Sequence, residues 1–100
     1  MKKLMLGVAL AMLSLAAAAA DQAVVDRYNK TCTVCHAAGV ANAPKAFDPA
    51  AWKPHLAKGA DVLLKSVKNG LNAMPPRGMC QDCTDADYKA LIDYMSTAKK

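Results

Sequence analysis

Cys32, Cys35 and His36 stand together in the run Cys-Thr-Val-Cys-His. Each of two thiols at this spacing can add across a vinyl group of a porphyrin to form a thioether, and a histidine directly after the second then falls beneath the ring, where it can bind iron. A bare C-x-x-C would suit a zinc site or a thiol redox pair equally well. The attached histidine selects covalent haem attachment, with Cys32 and Cys35 as the anchors and His36 as an iron ligand.

A second stretch with chemical content is Leu71-Asn72-Ala73-Met74-Pro75-Pro76-Arg77-Gly78-Met79-Cys80. A thioether followed by two prolines suits a rigid strap that brings the Met74 sulfur to the open side of the iron. Such a ligand raises the reduction potential and favours electron transfer over oxygen activation. Of the six methionines, Met1, Met5 and Met12 fall in an apolar leader, Met95 has the spacing of a core residue, and Met79 sits beside Cys80 in a short turn expected to face outward. Met74 is therefore the candidate sixth ligand. His55, the other histidine, lies among lysines in a surface-like context and is not expected to bind iron.

Cys80 and Cys83 lack a histidine after the second cysteine, where Thr84 stands, so they do not make a second haem motif. They could form a disulfide, serve as a redox pair, or join Cys32 and Cys35 as four thiolates on zinc. The zinc site would leave His36 and Met74 without a role.

These residues need elements to hold them. Val24, Val25, Tyr28 and Cys32 recur at helical spacing, so a helix capped by Asp21 is expected to deliver Cys32. The turn-rich run from Ala37 to Pro44 reads as a loop returning under the haem, and the Pro44 carbonyl is a candidate acceptor for the second N–H of His36. Asp48 with Pro49 predicts a short helical turn. Within it, Trp52 is either core or a donor to a haem propionate. Asp61 is expected to cap a helix to about Asn69, with Val62, Leu63, Leu64 and Val67 inward and Gly70 as its stop. Thr84 to Asp87 resembles a capping box, opening a helix whose Tyr88, Leu91, Ile92 and Met95 form one apolar face. The expected partner of that face is Val24, Val25 and Tyr28, and Lys99 and Lys100 suit the helix's C-terminal end.

Lys2 and Lys3 followed by an apolar run to Ala20 predict a cleaved signal peptide over residues 1–20, leaving a single domain at 21–100. An uncleaved segment anchoring the chain to the inner membrane is the alternative. A domain this small is marginal with an apolar core alone, so a covalently held macrocycle and a disulfide are both welcome. Of the 13 Lys and Arg against 8 Asp and Glu, losing Lys2 and Lys3 leaves 11 against 8. The remaining lysines are scattered and no aromatic residues interleave with them, which argues against nucleic-acid binding and for at most a mild electrostatic guide toward an acidic docking face.

The runs YNKTCTVCHAAGVANAPKAFD, AAWKPHLAKG and GLNAMPPRGMCQDCTDADYKALIDYM together resemble the cytochrome c5 family of class I c-type cytochromes. The resemblance implies an all-α fold with crossing N- and C-terminal helices around one covalently attached haem c. It further implies His36 and Met74 as axial iron ligands, a Cys80–Cys83 disulfide, and Pro44 as the acceptor behind His36. Phe47 stands where that family's loop has a small residue. The expected function is a periplasmic single-haem electron carrier rather than an enzyme. Its expected partners are redox proteins: a membrane quinol-oxidising complex as donor and a terminal oxidase or periplasmic reductase as acceptor. The alternative is a haem enzyme or gas-binding sensor in which the sixth iron position is open.

Overall fold

The computed structural model describes residues 22–98. The leader 1–20, the Asp21 cap and the terminal Lys99 and Lys100 lie outside the described residues. Four helical segments, joined by two short 3-10 turns, make up the architecture: α1 (22–36), α2 (Pro49–Leu56), α3 (Ala60–Asn69) and α4 (Asp85–Ser96). Among the described residues there is no β-strand, only an isolated bridge between Leu71 and Met74. The all-α expectation is met.

α1 is not uniform. Between α-helical turns at 22–27 and Thr33–His36 lies a π-helical stretch, Tyr28–Cys32, in which the Thr33 N–H reaches back five residues to the Tyr28 carbonyl. The Thr31 hydroxyl donates to the Arg27 carbonyl at 2.8 Å, so that carbonyl is satisfied within the altered register. The wider turn offsets Cys32 from strict α-helical phase with Tyr28. Cys32 consequently touches the core while also lining the adjoining cavity.

Tyr28, Ala46, Trp52, Cys80, Cys83, Tyr88, Leu91, Ile92 and Met95 form the buried core, with Val24 packed against it. The predicted face of α4 is thus inside, and it meets Val24 and Tyr28 of α1. Val25, expected beside them, is half-buried and outside that cluster. Tyr94, which the face pattern of α4 did not include, packs edge-on to Tyr28 at 5.5 Å. Phe47 fills the remaining corner, 5.4 Å from Tyr28 and 5.0 Å from Tyr94. Its φ of 67° explains why a small residue suits this position. Here the ring contacts, and the bond from the Phe47 N–H to the Met95 carbonyl, offset the backbone cost.

Three local expectations change. α2 is a full helix that continues through Pro54. The bond this proline removes would have gone to the carbonyl of Ala50, an exposed residue in the first turn where water can replace it. α3 starts two residues early, capped by Gly59, so Asp61 lies inside its first turn, where its charge suits the helix dipole, rather than at the cap. Val62 is 47% exposed. Leu63, Leu64 and Val67 share the inward face, and Val62 lies roughly 100° or more round the helix from that face's centre. α4 begins as expected: Thr84 Oγ1 accepts from the Asp87 N–H at 3.2 Å, and the Thr84 N–H donates to Asp87 Oδ2 at 2.9 Å.

Candidate haem site

His36, the last residue of α1, is 7% exposed. Its Nδ1 lies 2.8 Å from the Pro44 carbonyl, the acceptor expected from sequence. With Nδ1 donating there, the tautomer is fixed and Nε2 is left as a lone-pair ligand. The Ala46 N–H bonds to the His36 carbonyl at 2.7 Å, so the returning loop is pinned at both edges of this residue. Trp52, 4% exposed, stacks on the imidazole with centroids 5.4 Å apart and planes 25° from parallel. Its indole N–H donates to the Lys45 carbonyl at 3.0 Å. That bond corrects the propionate alternative: Trp52 supports the pocket by backing the imidazole and holding the loop before Pro44.

A cavity of about 320 Å³ opens beside these groups. Cys32, Cys35, His36, Pro44, Trp52 and Met74 all line it. Thus the structure brings together every residue that sequence assigned to the haem. Leu63 and Val67 of α3 and Ile92 and Met95 of α4 supply apolar wall. Met95 keeps the core role expected of it, at 3% exposure, while Met79 is 55% exposed at the rim.

Met74 is held by its strap. Leu71 and Met74 exchange backbone hydrogen bonds of 2.9 and 3.1 Å, closing a tight loop. Gly70 makes that closure feasible: its φ is 87°, and a Cβ there would stand 2.9 Å from the Met74 carbonyl oxygen. Gly78 leaves room for the side chain itself, since its Cβ would stand 3.1 Å from Met74 Cε.

Cys32 and Cys35 are free thiols and half-buried. Burial pushes the Cys32 thiol up from its ordinary value, partly offset by a hydrogen bond with Thr31. Cys80 and Cys83 are joined in a disulfide, which removes the four-thiolate zinc site and leaves their cluster with Asp82 without a thiolate for a metal. The bridge is anchored from α4 by the Tyr88 hydroxyl, which donates to the buried Cys80 carbonyl at 2.6 Å. From α1 the Arg27 guanidinium lies 3.4 Å from Cys83 Sγ and 3.7 Å from Cys80 Sγ. Sequence patterning did not single out Arg27, because its partners are distant in the chain.

The donor set fits a c-type haem: one imidazole with a fixed tautomer, a thioether sulfur on a closed strap, two thiols at attachment spacing, and walls that are otherwise largely apolar.

Comparison with known proteins finds cytochromes c. Residues 19–95 match the family model described as cytochrome c oxidase, cbb3-type, subunit III. Cytochrome c5 of Azotobacter vinelandii is 54% identical over 69 residues, covering 67% of this chain and 83% of that protein. A cytochrome c-555 of Chlorobaculum thiosulfatiphilum is 39% identical, covering 68% and 84%. Among solved structures, a mono-haem ferrocytochrome c from Shewanella putrefaciens superposes with a TM-score of 0.67 at 66% identity, covering 76% of this chain and 94% of that one. A chain from an electron-transfer complex of nitrite reductase with cytochrome c superposes with a TM-score of 0.64 at 51% identity, covering 71% and 86%.

Proposed function

The chain belongs to the cytochrome c5 family, and on that footing we propose that it ferries single electrons between respiratory redox proteins in the periplasm. It is a monohaem electron carrier rather than an enzyme, with one covalently bound haem c. In our assignment Cys32 and Cys35 form the thioethers, and His36 and Met74 are the axial ligands. The observation that carries the ligand assignment is the His36 Nδ1 bond to Pro44, which leaves only Nε2 for iron while Met74 lines the same cavity.

The haem supplies an iron that changes by one unit of charge, so no substrate bond is made or broken. The chain's part is to keep the site alike in both states. The Pro44 bond and the Trp52 stack fix the imidazole, and the Leu71–Met74 closure fixes the strap. A thioether donor favours the ferrous form and so raises the potential. Val40, Leu71 and Met79, each about half exposed, rim the cavity mouth and offer a small apolar patch for brief docking.

The partners we propose are a membrane quinol-oxidising complex as donor and a terminal oxidase or periplasmic reductase as acceptor. The nitrite reductase complex of the structural relative supports a reductase on the acceptor side. Lys2, Lys3 and the apolar run after them support the export this reading requires. Mass spectrometry of the isolated protein tests this: a chain beginning at Asp21 supports free diffusion, and one retaining residues 1–20 overturns it in favour of a tether. Optical spectra in both oxidation states test the ligands. A weak red sulfur-to-iron charge-transfer band in the ferric protein, with no carbon monoxide uptake by the ferrous one, is the expected result. Absence of the band with ready uptake removes Met74.

A further inference from the structure

A haem carries two propionate carboxylates as well as its iron, and carboxylates held against protein need cations or hydrogen-bond donors. Most polar groups lining the cavity are already committed. His36 is bonded to Pro44, the Trp52 indole to Lys45, the Thr31 hydroxyl to Arg27, and the Ser66 hydroxyl to Val62. Among the described residues, and apart from the two thiols assigned to the thioethers, the lining side-chain donors with no such bond are Asn42, His55, Lys58 and Asn72. Only His55 and Lys58 of these can bring positive charge.

These two are close to one another in the fold. The Lys58 N–H bonds to the His55 carbonyl at 3.1 Å, within the turn that ends α2. The His55 ring is edge-on to Trp52 at 6.4 Å, and Trp52 in turn backs His36. The packed neighbours α3 and α4 present Leu63, Ser66, Val67, Ile92 and Met95 to the cavity, none of them charged. Asp48 and Asp61, the nearest acids along the chain, are exposed and line no part of it, and Lys53 is exposed on the same helix. Beyond His55 and Lys58, the ionisable groups lining the cavity are Cys32, Cys35 and His36.

We propose that His55 and Lys58 form the subsite for the haem propionates, and that this couples protonation of His55 to the oxidation state of the iron. The inference rests on the cavity being the haem site. When one electron arrives from the donor protein, the site loses one unit of positive charge, and a neutral His55 takes up one proton from solvent. When the electron leaves for the acceptor, that proton returns to solvent. The positive charge of Lys58 favours the ferric state less than a neutral residue would.

The test is an optical redox titration of the haem-bearing protein over about pH 5 to 9, a range spanning the ordinary histidine value near 6.5. The native protein, His55→Gln and Lys58→Gln are compared. Electron affinity of the native protein should fall as pH rises through the His55 titration, by at most tenfold per pH unit, the equivalent of 59 mV for one electron. His55→Gln should abolish that dependence. Lys58→Gln should keep it while lowering electron affinity severalfold at every pH. A flat native profile, or a slope that survives in His55→Gln, overturns the coupling; unchanged affinity in Lys58→Gln overturns the role of Lys58. Should either variant fail to fold, the His55 ring titration followed by NMR in the native protein decides the coupling: a higher pKa in the ferrous than in the ferric state supports it, and equal values refute it. Failure of the haem assignment would look different, as a native protein with no haem spectrum.

Discussion

Replacing Phe47 separates a backbone cost from a packing gain. The residue sits at φ 67°, in the left-handed region where a Cβ costs about 1–2 kcal/mol. Its ring makes edge contacts with both Tyr28 and Tyr94. Truncating a fully buried Phe to Ala costs about 3–5 kcal/mol; Phe47 is only half-buried, so Phe47→Ala should cost about 2–3 kcal/mol. Phe47→Gly loses the same ring but adopts the left-handed backbone freely, which should return about 1 kcal/mol after allowing for glycine's greater unfolded-state entropy. In a domain of this size 1 kcal/mol moves the melting temperature by about 4–8 °C. The glycine variant should therefore melt that far above the alanine variant, with both below the native protein, when haem-bearing samples are heated and followed by far-ultraviolet circular dichroism. An alanine variant as stable as the glycine one would refute the strain argument. A glycine variant matching the native protein would refute the role given to the ring.

Three further outcomes follow from the site and its supports. Met74→Ala should lower the potential and let the ferrous iron take up carbon monoxide, as read from spectra and redox titration. Tyr88→Phe leaves the buried Cys80 carbonyl with only the long 3.5 Å bond from the Cys83 N–H and should cost about 1 kcal/mol in urea unfolding. The Asp87 carboxyl is held below its ordinary value, first by the Thr84 N–H and further by the Thr84 hydroxyl and the Arg27 charge. Because the folded value is the lower one, the stabilisation is complete above the unfolded value near 3.9 and is lost as pH falls below it. The stability gap between the native protein and Asp87→Asn should therefore narrow with acid over that range, and a gap constant with pH would refute the assignment.

Much of the site was legible because its chemistry is local. The Cys32-to-His36 spacing, the proline loop behind His36 and the strap around Met74 each write a geometric constraint into a few neighbouring residues. The α4 face and its capping box were legible for the same reason. What sequence left open depended on distant partners. Trp52 could have met a propionate or a backbone carbonyl, and only the fold places Lys45 O within reach. Val62 differs from Leu63 by one position in an apolar run, so the inward face depended on where α3 meets its neighbours. The π-helical turn has no composition of its own. The contact of Arg27 with the disulfide spans more than 50 residues.

The four cysteines form two pairs of identical spacing with opposite fates: in our assignment one carries the thioethers to the porphyrin, and the other is bridged. In a maturation pathway this is a sorting problem, since a thiolate at Cys32 could attack the bridge and scramble it. Attack requires the thiolate, and burial of Cys32 keeps its thiol protonated. The burial that sets Cys32 against the cavity thus also acts as a chemical quarantine, lowering its reactivity toward the neighbouring pair's bridge.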